Sequence, residues 1–253
     1  MEEQQPKRLP WHPLLAVIFV IALYFAASVI AGSILGIALV LMGWNADRIS
    51  DALTSNSVYI QFTYVVLVEL LTVTALVLFL RLYKTTVRAV GLIKPRLKDL
   101  AFGALAYPIY FLAFLALATA ATHFIPGFNL NQEQELGFEN ITGALPLLLT
   151  FVSLVVLPPI VEELLFRGFL FTSFRARVGF WVATLITSSI FAVAHLPEGG
   201  SGGPLYIAAM DTFILSIALC YLREKTGSLW ASITLHAIKN GIAYLSLFIL
   251  ATH

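Results

Sequence analysis

Six side chains suited to hydrolytic chemistry lie in three otherwise apolar stretches of this sequence. They are Glu162, Glu163, Arg167, His195, His236 and Asn240. A charged group in the middle of a membrane-spanning helix costs roughly 2.5–3.5 kcal/mol, so it is expected to be paired, to face a cavity or to serve a function. Carboxylates and histidines can activate a water molecule, and imidazole or amide donors can stabilise an oxyanion. The set therefore predicts a hydrolytic site assembled from three helices.

The two neighbouring glutamates are expected to differ in role. Glu163 and Arg167 are four residues apart, so they share one helix face with the acid N-terminal to the base, the better orientation for an ion pair. Glu162 is rotated from that face by about 100° and lacks the same partner. We expect Arg167 to neutralise Glu163 and hold it in place, which leaves Glu162 free to act as a general base.

Each histidine pattern also has a purely structural interpretation. A single His195 at the end of an apolar stretch is typical of an interfacial residue. His236 and Asn240 are four residues apart on one face, where hydrogen bonding between helices is as plausible as catalysis. Only the combination of all three patterns favours hydrolysis.

Three further ionisable residues lie in apolar stretches. Asp211 and Lys239 could pair between two helices, or either could face water, while Glu69 has no evident partner. We expect structural roles for all three. They also suggest a transporter or proton relay as an alternative function. The sequence shows no inverted repeat or paired broken helices, which disfavours that alternative.

The composition indicates that these residues are positioned by membrane-spanning helices. Hydrophobic residues make up 59% of the chain and charged residues 11%, whereas soluble domains carry about 25% charged residues. Seven apolar segments are long enough, or nearly so, to cross about 30 Å of hydrocarbon. They are approximately Leu14–Met42, Val58–Leu82, Leu100–Thr122, Ala144–Phe174, Phe180–His195, Leu205–Leu222 and Leu229–Leu250. The fold class is predicted to be all-α, a polytopic transmembrane bundle of about seven spans, with residues 1–253 as one domain.

The fourth segment is over-long and contains Pro158-Pro159, which should kink the helix and free backbone carbonyls. Along ideal helices, Glu162 and His195 lie roughly 22 and 27 Å from the basic residues after the fourth segment, while His236 lies only about 16 Å from Lys225. A shared site requires Glu162, His195 and His236 to lie at the same depth in the membrane. Tilting, the proline kink or a turn at residues 227–228 that dips into the membrane could each reconcile the values.

The basic residues predict the orientation of the chain. Of the 15 lysines and arginines, 12 fall in alternate loops, one (Arg48) falls in the other loops, and Arg167 and Lys239 lie within segments. The 12 are Lys7, Arg8, Arg81, Lys84, Arg88, Lys94, Arg96, Lys98, Arg175, Arg177, Arg223 and Lys225. The loops on the other side carry Asp47, Asp51, Glu133, Glu135, Glu139 and Glu198. The positive-inside rule then places the N-terminus in the cytoplasm and the C-terminus outside.

Several classes of protein are disfavoured by composition. A net charge of +1, without a basic stripe, gives no sign of a nucleic-acid partner. The single cysteine, Cys220, excludes an intrachain disulfide and a cysteine metal cluster. The first apolar segment, 29 residues long, exceeds the roughly 7–15 residues of a cleavable signal sequence, so we expect it to be retained.

The three patterns occur in a fixed order that resembles a known family. Glu162-Glu163-x-x-x-Arg167, Phe191-x-x-x-His195 and His236-x-x-x-Asn240 resemble the signature of the CPBP family. That family includes the type II CAAX prenyl endopeptidases and bacteriocin-processing or immunity proteins. The run from Tyr221 to Trp230 is also similar to its bacterial members. The resemblance covers residues 144–243 and none of the first three segments.

The resemblance implies an intramembrane endopeptidase that acts on a membrane-associated, lipidated or amphipathic peptide. It implies that Glu162 and His195 activate the attacking water and that His236 and Asn240 stabilise the oxyanion, while Glu163 and Arg167 hold the site together. It also implies a multi-pass protein of a prokaryotic plasma membrane. A non-enzymatic immunity protein or chaperone on the same scaffold is the alternative. The substrate, the use of prenylated substrates and the oligomeric state are not predicted.

Metal dependence is open at this stage. The family is commonly labelled a metalloprotease, and Glu162, His195 and His236 are suitable zinc ligands. The sequence has no His-Glu-x-x-His motif, and the ligands would come from three helices. We favour a mechanism that requires no cofactor, with zinc as the alternative.

Overall fold

The computed structural model describes residues 9–54, 57–132, 134–138 and 141–250. In these ranges the chain forms helices joined by turns, with no β-strand. The helices are α1 Pro13–Leu41, α2 Ala46–Thr54, α3 Val58–Leu82, α4 Leu97–Phe124, α5 Ala144–Arg175, α6 Phe180–Ala194, α7 Tyr206–Thr226 and α8 Trp230–Leu250. A 3₁₀ turn at Leu196–Gly202 follows α6. Four charged residues of the predicted loops lie outside the described residues: Lys7, Arg8, Glu133 and Glu139.

All of these helices except α2 are long and apolar enough to cross a membrane, α6 together with the turn that follows it, as Phe180–Gly199. This gives seven spans in the described part of the chain. The predicted segments are confirmed, with boundaries that differ by no more than four residues. Large apolar side chains point outward around the bundle; Leu82 is 82% exposed and Leu97 is 86% exposed. Water would not tolerate so much exposed apolar surface, but lipid does. The chain is therefore an integral, multi-pass membrane protein.

Helix α5 is central to the bundle and irregular in its backbone. It contains π-helical stretches at Val152–Val156 and Glu163–Phe171. Every residue of the second stretch is buried, against α1, α6, α7 and α8. Short π-helical stretches inside α-helices are frequent at functional sites.

The adjacent prolines Pro158 and Pro159 of α5 leave one carbonyl without a donor from its own helix. The carbonyl of Leu154 would accept from residue 158 in an α-helix or from residue 159 in a π-helix, and both positions are proline. The Nδ2 of Asn240 in α8 donates to this oxygen at 2.9 Å. The prediction that Pro158-Pro159 would free a backbone carbonyl is confirmed, and α8 supplies the missing donor.

Helix α8, which carries His236 and Asn240, packs closely against α4. A Cβ atom added to Gly103 of α4 would lie 2.7 Å from the Cβ of Thr234 and would also collide with the carbonyl oxygen of Ala231. Only glycine allows this approach of the two backbones. The contact fixes the position of α8 beside the site.

Candidate active site

Four of the six predicted residues line one cavity of about 270 Å³. They are Glu162 of α5, His195 at the end of α6, and His236 and Asn240 of α8. The other two, Glu163 and Arg167, are fully buried behind the cavity wall. The structure therefore brings side chains from three helices to one cavity, as a shared site requires. The π-helical stretch Glu163–Phe171 lies between Glu162 and the basic residues after α5. It shortens that distance, because a π turn contains more residues than an α turn.

Glu163 connects α5 to α8. Its Oε1 accepts a hydrogen bond from Arg167 Nη1 at 2.9 Å and a second from His236 Nδ1 at 2.9 Å. Both Glu163 and Arg167 are 0% exposed. The predicted ion pair is confirmed, and it also orients the histidine of the neighbouring helix.

Glu162 is the carboxylate that faces the cavity. Its side chain is 30% exposed, and its Oε2 is buried without a hydrogen-bond partner among the described residues. Nε2 of His236 lies 3.9 Å from this oxygen. Because His236 donates through Nδ1, its Nε2 is unprotonated in the neutral ring, and two acceptor atoms face each other across this gap.

His195 follows the last residue of α6. Its Nδ1 donates to the carbonyl of Phe191 at 2.7 Å, so the neutral ring has its lone pair on Nε2. That atom lies 3.8 Å from Oε1 of Glu198, in the 3₁₀ turn. His195 is thus held at one nitrogen and presents the other to the cavity.

Phe191 is the packing centre of the site. The Cζ atom of Arg167 lies 4.2 Å from the centroid of the Phe191 ring, and the rings of His195 and His236 lie 4.5 and 6.0 Å away. A guanidinium over an aromatic face is attracted by the ring quadrupole. Phe191 belongs to the pattern Phe191-x-x-x-His195, but no role was predicted for it from the sequence. Its spacing of four residues from His195 was the available signal.

Asn240 makes a bond between helices, one of the two alternatives left open by the sequence. One N–H of its amide is used by the carbonyl of Leu154, and the second remains available on the same nitrogen. The bond fixes the orientation of the amide at the cavity wall. A part in oxyanion stabilisation stays a prediction.

The residues fit zinc in donor type but not in spacing. His195 and His236 are each held through Nδ1 by a carbonyl or a carboxylate and present Nε2, as zinc-bound histidines do. Among the described residues, however, no three His, Cys, Asp or Glu side chains lie close enough to hold one ion. Zinc stays the untested alternative to the predicted mechanism that requires no cofactor.

The segment that carries the six predicted site residues resembles a known family. Residues 144–242 match the family model described as "Type II CAAX prenyl endopeptidase Rce1-like". All six predicted site residues lie in this Rce1-like segment. The resemblance predicted from the three motifs is thus confirmed over these residues.

Three curated proteins each align with part of the chain. The "Putative membrane peptidase YdiL" of Bacillus subtilis is 27% identical over 133 residues, which cover 52% of this chain and 50% of that protein. The "UPF0177 protein YxdF" of Lactococcus lactis is 31% identical over 106 residues, 42% of this chain and 54% of that protein. An "Uncharacterized 24.3 kDa protein" of Escherichia coli is 31% identical over 91 residues, 35% of this chain and 40% of that protein. The chain thus spans about half the length of these relatives, and no solved structure matches it significantly.

Asp211 and Lys239, both in the Rce1-like segment, form the ion pair that was one of the predicted alternatives. Their Oδ2 and Nζ atoms are 3.2 Å apart. Tyr110 of α4, outside the segment, donates to the other oxygen of Asp211. The pair joins α7 to α8, and Lys239 also lines the cavity.

Glu198 is a cavity-lining residue of the Rce1-like segment that the sequence analysis treated only as a loop acid. Its Oε2 accepts from Nε2 of Gln134 at 2.6 Å, and both residues line the cavity beside His195. The spacing of three residues between His195 and Glu198 was a signal that could have singled it out. Nothing in the sequence pattern pointed to Gln134.

Proposed function

We propose that this protein is an intramembrane endopeptidase that hydrolyses a peptide bond of a membrane-associated peptide. The observation that supports this most strongly is the position of Glu162, which lines the 270 Å³ cavity beside two histidines and whose Oε2 has no hydrogen-bond partner among the described residues. The match of residues 144–242 to a family of prenyl endopeptidases agrees with it. So does the name of the Bacillus subtilis relative, which describes a membrane peptidase.

Glu162 accepts the proton of the attacking water in this proposal. The gap of 3.9 Å between Glu162 Oε2 and His236 Nε2 is too long for a direct hydrogen bond but accommodates one water that both atoms hold. Removal of a proton by Glu162 turns this water into a nucleophile that attacks the carbonyl carbon of the substrate. His195, with Nε2 directed to the same cavity, is the second acceptor for water.

His236 and Asn240 stabilise the tetrahedral intermediate. The remaining N–H of Asn240 can point to the oxyanion, and His236 can donate from Nε2 once that atom is protonated. Glu163 holds the ring of His236 in place for this role, because its carboxylate accepts from Nδ1 at 2.9 Å. The proton taken by Glu162 passes to the nitrogen of the scissile bond as the C–N bond breaks, which yields a carboxylic acid and an amine. The acid then transfers its proton to the amine or to water.

The walls of the cavity suit a peptide with polar and apolar parts. Gln134 and Lys239 contribute polar groups, whereas Leu247 and Phe248 of α8 contribute apolar surface. We propose an amphipathic or lipidated peptide at the membrane as substrate. No nucleic acid is expected as a partner.

The decisive experiment replaces the proposed base without changing its shape. We expect Glu162→Gln, and likewise His195→Ala, to reduce cleavage of a membrane-anchored reporter peptide by about 10²- to 10⁴-fold, the range for loss of a general base. Membrane insertion and the melting temperature in detergent should be retained.

Glu224→Gln is the matched control, because Glu224 pairs with Arg175 at 3.0 Å and lies away from the cavity. We expect it to keep wild-type cleavage. Wild-type cleavage by Glu162→Gln would contradict the proposed role. Wild-type function in a cellular assay without any cleavage would favour the immunity or chaperone alternative.

A metal-free reaction predicts that chelators leave cleavage unchanged. The purified protein, dialysed against a strong zinc chelator, should retain its rate within about twofold, because no step requires a Lewis acid. The measurement is the cleavage rate before and after dialysis, with a zinc protease as positive control. If dialysis abolishes the rate and added zinc restores it, the metal-free mechanism is wrong.

A further inference from the structure

Glu198 lies where two cavities meet. The main cavity and an adjoining one of about 180 Å³ are both lined by His195, Glu198 and Gln134. The two oxygens of Glu198 have different neighbours: Oε2 accepts from Gln134 at 2.6 Å, and Oε1 lies 3.8 Å from Nε2 of His195.

The loop between α4 and α5 holds the turn that carries Glu198. The backbone N–H of residue 135 donates to the carbonyl of Glu198 at 2.8 Å. Farther along, the side chain of Gln132 donates to the carbonyl of Pro204 at 3.1 Å and accepts from the N–H of Ile207 at 3.2 Å. The carboxylate of Glu198 is thus fixed by backbone and side-chain contacts before any substrate binds.

The identity of the facing atoms explains why a carboxylate is used. His195 donates from Nδ1 to Phe191, so its Nε2 is an acceptor, and Oε1 of Glu198 is an acceptor too. At 3.8 Å the two atoms can both receive hydrogens from one water, which would fix the ring at both nitrogens. The arrangement repeats that of Glu162 and His236, whose facing acceptors are 3.9 Å apart.

We propose that Glu198, fixed by Gln134, is a positioning residue that holds the ring of His195 with Nε2 available to water in the cavity. This inference rests on the proposed function, since it assigns a partner to one of the groups that activate water. It also predicts that Nε2 of His195 is accessible, which can be tested without any substrate.

Glu198→Gln distinguishes a residue that positions His195 from one that only holds the loop through its hydrogen bond with Gln134. Gln134 donates to Oε2 of Glu198 in the native protein. With that bond kept, the new amide turns its oxygen to Gln134 and its NH₂ to His195, where a donor replaces the acceptor that faced Nε2. We expect kcat to fall by about 10- to 100-fold, as for loss of a residue that orients a functional histidine, with KM changed less than about twofold. If Glu198 only held the loop, kcat would be unchanged, since the amides of residues 134 and 198 still form a hydrogen bond.

The double variant Gln134→Glu/Glu198→Gln reverses the orientation of the side-chain amide at position 198. The carboxylate now at position 134 accepts from the NH₂ of residue 198, whose oxygen then faces His195 as an acceptor again. We expect kcat to recover at least about tenfold over Glu198→Gln. Wild-type kcat in the single variant, or no recovery in the double variant, overturns the assignment. Melting temperatures identify any variant that fails to fold, and Glu198→Gln, which keeps the side-chain volume, is chosen to avoid this.

Chemical labelling gives a readout that does not depend on peptidase activity. Diethyl pyrocarbonate reacts with unprotonated, accessible imidazole nitrogens, and mass spectrometry measures its reaction at each histidine. We expect slower labelling of His195 in Glu198→Gln and recovery in the double variant, with exposed His123 unchanged in all three proteins. This pattern in a protein that cleaves no peptide would contradict the proposed function alone. Equal labelling of His195 in every variant would overturn the role of Glu198.

Discussion

At the scale of single residues, one buried oxygen organises the site. Oε1 of Glu163 accepts from both Arg167 and His236, so the carboxylate sets the position of a histidine on another helix. The ion pair within α5 could be predicted from the spacing of four residues. The second bond could not, because it depends on how α8 packs against α5, and spacing along one helix carries no information about that packing.

Removal of Arg167 should destabilise the protein strongly. Arg167→Met leaves the buried carboxylate of Glu163 without its cation, and breaking such a pair costs about 3–5 kcal/mol. We expect a large fall in melting temperature in detergent. Glu163→Gln/Arg167→Met removes both charges and keeps an acceptor for His236, so it should recover most of the stability but little activity. A double variant no more stable than Arg167→Met would contradict this account.

The predicted site residues themselves could be found from the sequence, for a simple physical reason. Ionisable groups are costly in apolar segments, so Glu162, His195 and His236 stand out. Glu198 did not stand out, because a residue just after a span is indistinguishable from a loop residue until the 3₁₀ turn is seen. Phe191 did not either, because one aromatic side chain among many apolar residues carries no signal of its own.

At the scale of helices, α5 depends on α8 for its regularity. The proline pair removes both donors that the carbonyl of Leu154 could use within α5, and Asn240 replaces them at 2.9 Å. Length and hydropathy were sufficient to predict the spans. The π-helical stretches at Val152–Val156 and Glu163–Phe171 were not predicted, since the distribution of apolar residues does not distinguish a π turn from an α turn.

Asn240→Leu tests this dependence. It leaves the carbonyl of Leu154 buried without a donor, which costs about 1–3 kcal/mol, and the melting temperature should fall. Pro158→Ala supplies a new N–H four residues after Leu154. We therefore expect Pro158→Ala/Asn240→Leu to be more stable than Asn240→Leu. Both variants should lose activity, because the amide at the cavity wall is gone. Equal stability of the two would show that this carbonyl is satisfied in another way.

At the scale of the whole molecule, the distribution of basic residues predicts a cytoplasmic N-terminus. The seven spans of the described chain agree with the predicted alternation of loops. The orientation itself is a matter of charge relative to the membrane, and it stays a prediction. Helix packing around α5 likewise could not be predicted, because each span is apolar on nearly all faces.

Cysteine labelling in intact cells tests the orientation. In a Cys220→Ser background, which removes the one native cysteine, Lys225→Cys should react with an impermeant maleimide only after the cells are permeabilised. Asp47→Cys should react in intact cells, because acidic loops are predicted to face outward. Both positions are exposed. The opposite pattern would invert the predicted topology.

The bond from Asn240 to Leu154 also bears on how the protein is made. During synthesis α5 leaves the ribosome well before α8, and it enters the bilayer with a bare carbonyl that lipid cannot solvate, at a cost of several kcal/mol. Helix α8 brings the donor for that carbonyl together with His236. Hydrolytic competence would then arise only after α8 has been inserted, so a nascent chain that still lacks α8 would be harmless to the other polypeptides at the translocon.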